Sequence, residues 1–173
     1  MTPIAKWPTI KSSWMLLGFS ALTIEVSALY FQYGMGLEPC IMCIYQRVAM
    51  MGIMLSGFIT AIAPGMMAVR IVGYIGWGVS AVWGMMIAIE HVSIQTETDP
   101  FVFTTCEIVP KFPSWLQLHE WFPAIFEARG DCGDVNWQLL GYSMPQWMIV
   151  VFAGFVLGLV VVLGTRIIKE RTL

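Results

Sequence analysis

Charge is what this sequence has least of. Only 12% of its 173 residues are Asp, Glu, Lys or Arg, and just two are His. Soluble domains carry about a quarter charged residues, so an ordinary hydrated surface is excluded. No stretch interleaves basic residues with aromatics, which removes nucleic acid as a partner. Cysteine is sparse too, at four. The C-x-x-C box at Cys40 and Cys43 is followed by Ile44, not His, so covalent haem attachment is excluded. Cys106 and Cys132 stand singly and form no second C-x-x-C, which argues against a four-cysteine zinc site, and no metal is expected.

What the sequence has in plenty is apolar surface. Hydrophobic residues make up 58% of the chain, with thirteen Met and eight Trp, and the mean hydropathy is +0.75. Four apolar segments run from about Trp14 to Tyr33, Cys43 to Ala63, Ile71 to Ile89 and Trp147 to Thr165. Each has roughly the 20 residues needed to cross about 30 Å of hydrocarbon at 1.5 Å per residue. Backbone that faces lipid must satisfy its own hydrogen bonds, so these segments are expected to be helices. The expected fold is therefore all-α: one membrane domain over 1–173, a four-transmembrane-helix bundle. Gly73, Gly76, Gly78 and Gly84 in the third segment suit close helix–helix approach. The first segment could be read as a cleaved signal peptide, but Glu25 interrupts it and no small-x-small cleavage site precedes the cysteine box.

Orientation follows from Lys and Arg. Lys6, Lys11, Arg70, Arg166, Lys169 and Arg171 all fall on one side of a four-span chain, which makes that side cytoplasmic. Both termini are then cytoplasmic. A short loop (about 34–42) and a long one (about 90–146) face outward, the long one with eight acids against Lys111 and Arg129. All four cysteines fall on that outer side or at its interface, where an oxidising compartment lets disulfides persist. Three pairings are open. The local one joins Cys40 to Cys43 and leaves Cys106 for Cys132. Two static structural disulfides are the plain alternative. A C-x-x-C pair closes too short a loop to constrain the unfolded chain much, so that alternative suits Cys106 and Cys132 better.

If the second helix begins near Cys43, the helix dipole and free N–H groups there favour a thiolate. Arg47, four residues on, lies on the same face one turn deeper. It could instead extend to the headgroups. A thiolate beside a fixed cation at the membrane interface can pass electrons to something dissolved in lipid. Glu25 lies inside the first span, where an unpaired carboxylate is costly, and Gln32 follows seven residues later on the same face. A neutral core acid is the alternative for Glu25. In "PSWLQLHEWFPAIF", Trp115, Leu116, Leu118, Trp121 and Phe122 suggest a short interfacial helix on the outer leaflet, with a plain aromatic-belt segment as the alternative.

The segment "EPCIMCIYQR", the long outer loop from "TTCEIVPKF" through "GDCGDVNWQ", and the closing Met144-Pro145-Gln146-Trp147 together resemble DsbB, a family of bacterial inner-membrane disulfide-bond-formation proteins. The likeness spans essentially the whole chain. It implies a four-helix bundle in the inner membrane that reoxidises a periplasmic DsbA-like thiol oxidase. The electrons would pass to the membrane quinone pool, ubiquinone or menaquinone. Cys40 and Cys43 would be the quinone-proximal pair, and Cys106 and Cys132 the pair facing the partner. Arg47 would lie at the quinone, and His91 in "EHVSIQ" matches a family histidine associated with the quinone pocket; an interfacial histidine without a role is its alternative. The family box often reads C-I-Y-E-R, so Gln46 stands where an acid is common. Rival readings are a DsbB-like paralogue serving one dedicated oxidase, a non-catalytic scaffold with structural disulfides, and an oxidoreductase of the vitamin-K-epoxide-reductase type.

Overall fold

The computed structural model describes residues 7–96 and 110–170, with side chains through residue 168. Four long helices dominate it: α1, Lys11–Gly34; α2, Ile41–Ile62; α3, Met67–Thr96; and, at the C-terminal end, Met144–Glu170. All four are long and apolar enough to cross a membrane. Among the described residues between α3 and the last helix are two single-turn helices, α4 (Leu118–Trp121) and α5 (Pro123–Phe126), and a small hairpin. The last helix is therefore α6.

The interfacial helix expected over the aromatic stretch is broken in two. Pro123 has no N–H to donate and restricts Phe122 before it, so α4 stops and α5 starts afresh with proline at its head. Trp115, Trp121 and Phe122 stay exposed, while Phe126 is buried. The hairpin pairs β1 (Gln138–Leu139) with β2 (Tyr142–Ser143) through a two-residue turn. Both turn residues have positive φ, 55° at Leu140 and 82° at Gly141, the primed-turn geometry that matches strand twist. No periodic signal in the sequence marks so short a hairpin. It links two long helices: Ser143 Oγ donates to Gln95 Oε1 on α3 at 2.8 Å, and Trp147 Nε1 on α6 donates to the Leu139 carbonyl at 3.1 Å.

The bundle is inside-out in character. Leu16, Val72, Val79, Leu157 and Val160 point outward, as a lipid-facing surface requires. Small residues set the packing inside. A Cβ at Gly57 on α2 would lie 2.6 Å from the Gly18 backbone nitrogen of α1, so the two backbones touch there. The expected close approach of α3 is seen: Gly73 faces Thr60, Gly76 faces Ser56, and Gly84 faces the Phe152 ring. At the end opposite the cysteine box, Trp14 is fully buried among Trp7, Tyr74 and Trp77, with ring centroids 5.4 to 6.3 Å away. Its Nε1 donates to the Pro8 carbonyl at 2.8 Å. Arg70 braces the α2–α3 turn at that end by donating to the Pro64 and Gly65 carbonyls.

The helices do not close into a full ring. α1 packs on α2, α2 on α3 and α3 on α6, whereas α1 and α6 make at most marginal contact. A seam is left between the first and last spans.

Substituting Gly57 with Ala should force α1 and α2 apart. Overpacking of this kind costs about 1–3 kcal/mol. Thermal unfolding in detergent should show a lowered midpoint; an unchanged midpoint would mean the helices are not in contact there.

Candidate functional site

Gly36, at φ 67°, turns the chain after α1 in a conformation that side-chain-bearing residues rarely adopt. Pro39 then leads into Cys40, the N-cap of α2. Its backbone is extended, and its sulfur accepts from the Cys43 amide at 3.4 Å. The helix thus begins two residues earlier than the apolar run suggests, with Cys43 as its third residue. Both are free thiols, with sulfurs 2.9 Å apart. The hydrogen bond to Cys43, together with burial, pushes the Cys40 thiol well above the ordinary thiol range. Either sulfur can be the donor in this contact.

Arg47 is buried, at 6% exposure, and does not reach for the headgroups. Its guanidinium donates to Gln32 Oε1 at 2.6 Å, to the Ile125 carbonyl at 2.8 Å and to the Ala28 carbonyl at 3.3 Å. It makes no hydrogen bond to Cys43 or Glu25 but lines the same cavity as both. Gln32, which the sequence placed only on the face of Glu25, is Arg47's direct partner. Glu25 is buried, and its Oε1 has no hydrogen-bond partner.

His91 is buried at the outer end of α3. Its Nε2 lies 3.5 Å from Cys40 Sγ and its Nδ1 3.2 Å from Gln46 Nε2. The Cys132 carbonyl also accepts from the ring. The two thiols and a His91 nitrogen lie within 4.8 Å of one another. Cys132 itself is disulfide-bonded and fully buried, so it supplies no thiolate to a four-cysteine metal site. Cys106 lies outside the described residues.

The outer segment forms a roof over the thiols. Phe126, Ala128 and Cys132 pack with Cys40, Ile41 and Ile44 into a second apolar core. Main-chain hydrogen bonds fasten it: the Arg129 and Gly130 amides both donate to the Pro39 carbonyl, at 2.9 and 3.1 Å. Tyr33 and Gln32 of α1 donate to the Ala124 carbonyl. Beneath the roof is a cavity of 180 Å³ on the α1–α6 seam. Glu25, Gln32, Cys40, Cys43, Arg47 and His91 all line it, with Gln46 and with apolar walls from Ile24, Phe31, Met50 and Met148. Sequence reasoning marked Gln46 only as a departure from a pattern and missed it as a neighbour of His91. Its position three residues after Cys43, on the same helix face, was the available signal.

A helical membrane protein with a dithiol inside a cavity and a disulfide in the segment above it has the parts of a disulfide-forming oxidoreductase. Comparison identifies the family. The family described as "Disulfide bond formation protein DsbB" matches residues 10–162, and the chain belongs to it. It is 47% identical to "Disulfide bond formation protein B" of Pseudoalteromonas translucida (strain TAC 125) and 49% identical to the protein of that name from Pseudoalteromonas atlantica (strain T6c / ATCC BAA-1087), in both cases over the whole of both chains. A relative of the same name from Psychromonas ingrahamii is 48% identical across 92% of this chain and 85% of its own.

The roof's attachment can be tested at Gly130. A Cβ there would meet the Glu38 carbonyl oxygen at 2.5 Å. Gly130→Ala should therefore loosen the Pro39 contacts at a cost of about 1–3 kcal/mol. Hydrogen exchange at the Arg129 and Gly130 amides should accelerate about tenfold or more, with the helix interiors unchanged. Unaltered exchange at those two amides would contradict the docking.

Proposed function

We propose that this protein reoxidises a periplasmic thiol oxidase of the DsbA type and passes the electron pair to a membrane quinone, ubiquinone or menaquinone. One juxtaposition carries the reading: the Cys40–Cys43 dithiol opens into a cavity at a helix seam, together with a buried cation and a buried histidine. In this reading the end carrying Lys11, Arg70 and Arg166 faces the cytoplasm, by the positive-inside rule, and the cysteines face the periplasm. The protein would then sit in the bacterial inner membrane.

The cavity suits a quinone. Its walls are largely apolar, it lies where α1 and α6 leave a way in from lipid, and Glu25 presents a buried oxygen that no protein group satisfies. When bound, a quinone supplies a two-electron, two-proton acceptor. The protein's own residues do the rest. A thiolate of the reduced partner attacks the disulfide that the reading assigns to Cys106 and Cys132, forming a mixed disulfide at Cys106 and releasing Cys132. The partner's second thiolate displaces Cys106 and closes its own disulfide. The reduced loop pair then exchanges with oxidised Cys40–Cys43. Each exchange breaks one S–S bond and makes one, with thiolates as attacking and leaving groups. Cys40 and Cys43 finally return to the disulfide as two electrons and two protons leave them.

Arg47 holds a fixed positive charge near Cys43, where negative charge must build. His91 sits at hydrogen-bonding distance from Cys40. Gln32 fixes the guanidinium, and Glu25 lines the same cavity with a buried oxygen that no protein group satisfies. The direction of flow has a thermodynamic basis. DsbA is a strong oxidant, near about −120 mV, so only an acceptor of higher potential can drain it.

Two measurements test this reading. Cys43→Ser should abolish quinone reduction by a reduced DsbA-type partner while leaving the detergent-solubilised fold intact; retained turnover would instead favour a structural scaffold. Impermeant thiol reagents applied to intact cells after reduction should reach the cysteines only from outside. Labelling confined to the cytoplasmic face would reverse the topology.

A further inference from the structure

Gln46 is buried, at 4% exposure, one helical turn below Cys43. Its amide nitrogen faces His91 Nδ1 at 3.2 Å, and the other ring nitrogen faces Cys40 Sγ at 3.5 Å. Cys40 in turn touches Cys43 at 2.9 Å. These four groups form an unbroken line, and each link has a direction.

An amide nitrogen can only donate. His91 Nδ1 must then accept, and the single proton of the neutral imidazole is placed on Nε2, pointing at Cys40 Sγ. Cys40 accepts there and from the Cys43 amide, so the hydrogen it has left to give is aimed at Cys43 Sγ. We propose that Gln46 is a positioning residue that selects the Nε2–H tautomer of His91 and so aims a one-way chain of donors, Gln46 to His91 to Cys40 to Cys43, at the Cys43 sulfur. Such a chain stabilises an anion at its far end, because each donor is polarised by the one before it. The Cys132 carbonyl, which belongs to the roof, also accepts from the ring, so with the proton on Nε2 it shares that N–H with Cys40 and leaves the tautomer that Gln46 selects unchanged. The inference deepens the proposed function in one respect: it takes Cys43 as the sulfur that must carry negative charge.

The side chain's chemistry makes this chain reversible by a near-isosteric change. A carboxylate at position 46 can only accept. It would draw the imidazole proton to Nδ1 and leave Nε2 bare. Nε2 could then take the Cys40 hydrogen away from Cys43. Gln46→Glu should therefore turn the line around with almost no change in volume, whereas Gln46→Leu should leave the tautomer unselected.

Two readouts need neither quinone nor partner, so their failure is distinct from failure of the proposed function. The first is the ring itself. With only His91 and His119 in the chain, ¹⁵N-histidine labelling of the full-length protein in detergent gives two imidazoles, told apart with His119→Gln. Wild-type His91 should show a protonated Nε2 and a bare Nδ1, and Gln46→Glu should show Nδ1 protonated. The second is the alkylation rate of Cys43 in the fully reduced chain, read by peptide mass spectrometry at fixed pH. Gln46→Glu should slow it about fivefold to tenfold, the scale of one net hydrogen bond, and Gln46→Leu by less. A wild-type His91 protonated on Nδ1, or a Cys43 rate unchanged by Gln46→Glu in a protein whose thermal midpoint is also unchanged, would overturn the proposal.

Discussion

The structure of the site depends on one buried cation. Arg47 sits inside an apolar bundle with almost no access to water, where an unsatisfied guanidinium would cost several kcal/mol. Its donors instead go to three acceptors on two other parts of the chain: a side chain and a carbonyl of α1, and a carbonyl of the outer segment. Satisfying that charge therefore fastens α1, α2 and the roof to one another beside the thiols. The cation that lines the thiol cavity is thus also the group whose hydrogen bonds hold the site together.

The roof and the seam divide the labour of access. Main-chain bonds at Pro39 and a small apolar core hold the outer segment over Cys40, which is buried. On the flank, α1 and α6 do not close on one another, and the cavity lies along that gap. A site covered above and open to the side suits exchange with a lipid-soluble reactant, while the disulfide at Cys132 stands in the covering layer itself. The two sulfur centres are thus separated by function and joined by the packing of Cys132 against Cys40 and Ile44.

Within the cavity, polarity is concentrated on α2. Cys40, Cys43, Gln46 and Arg47 follow one another down a single face of its first two turns, and α1 and α3 supply the answering groups, Gln32 and His91. The other end of the bundle has different chemistry, a cluster of Trp7, Trp14, Tyr74 and Trp77 with Arg70 bracing the turn. That end anchors the bundle.

The four spans, their glycine contacts and the C-x-x-C box were legible in the sequence, because a 20-residue apolar run, a small-residue spacing and a short sulfur motif are local patterns. The same holds for Arg47 and Cys43 sharing a helix face. The sequence could not show that Arg47 turns to Gln32 and Ile125, that Gln46 meets His91, or that Glu25 keeps an unsatisfied oxygen. Those facts depend on which helix faces meet, and residues 15 to 92 positions apart have no periodicity linking them. The interfacial segment was misjudged for a local reason, a proline that splits it, and the hairpin was missed because two-residue strands leave no pattern. Local hydrophobic order decides that this chain is a membrane bundle with a dithiol at one end. Tertiary packing alone decides which polar groups surround that dithiol, since a buried charge or amide takes its meaning from the partner that satisfies it.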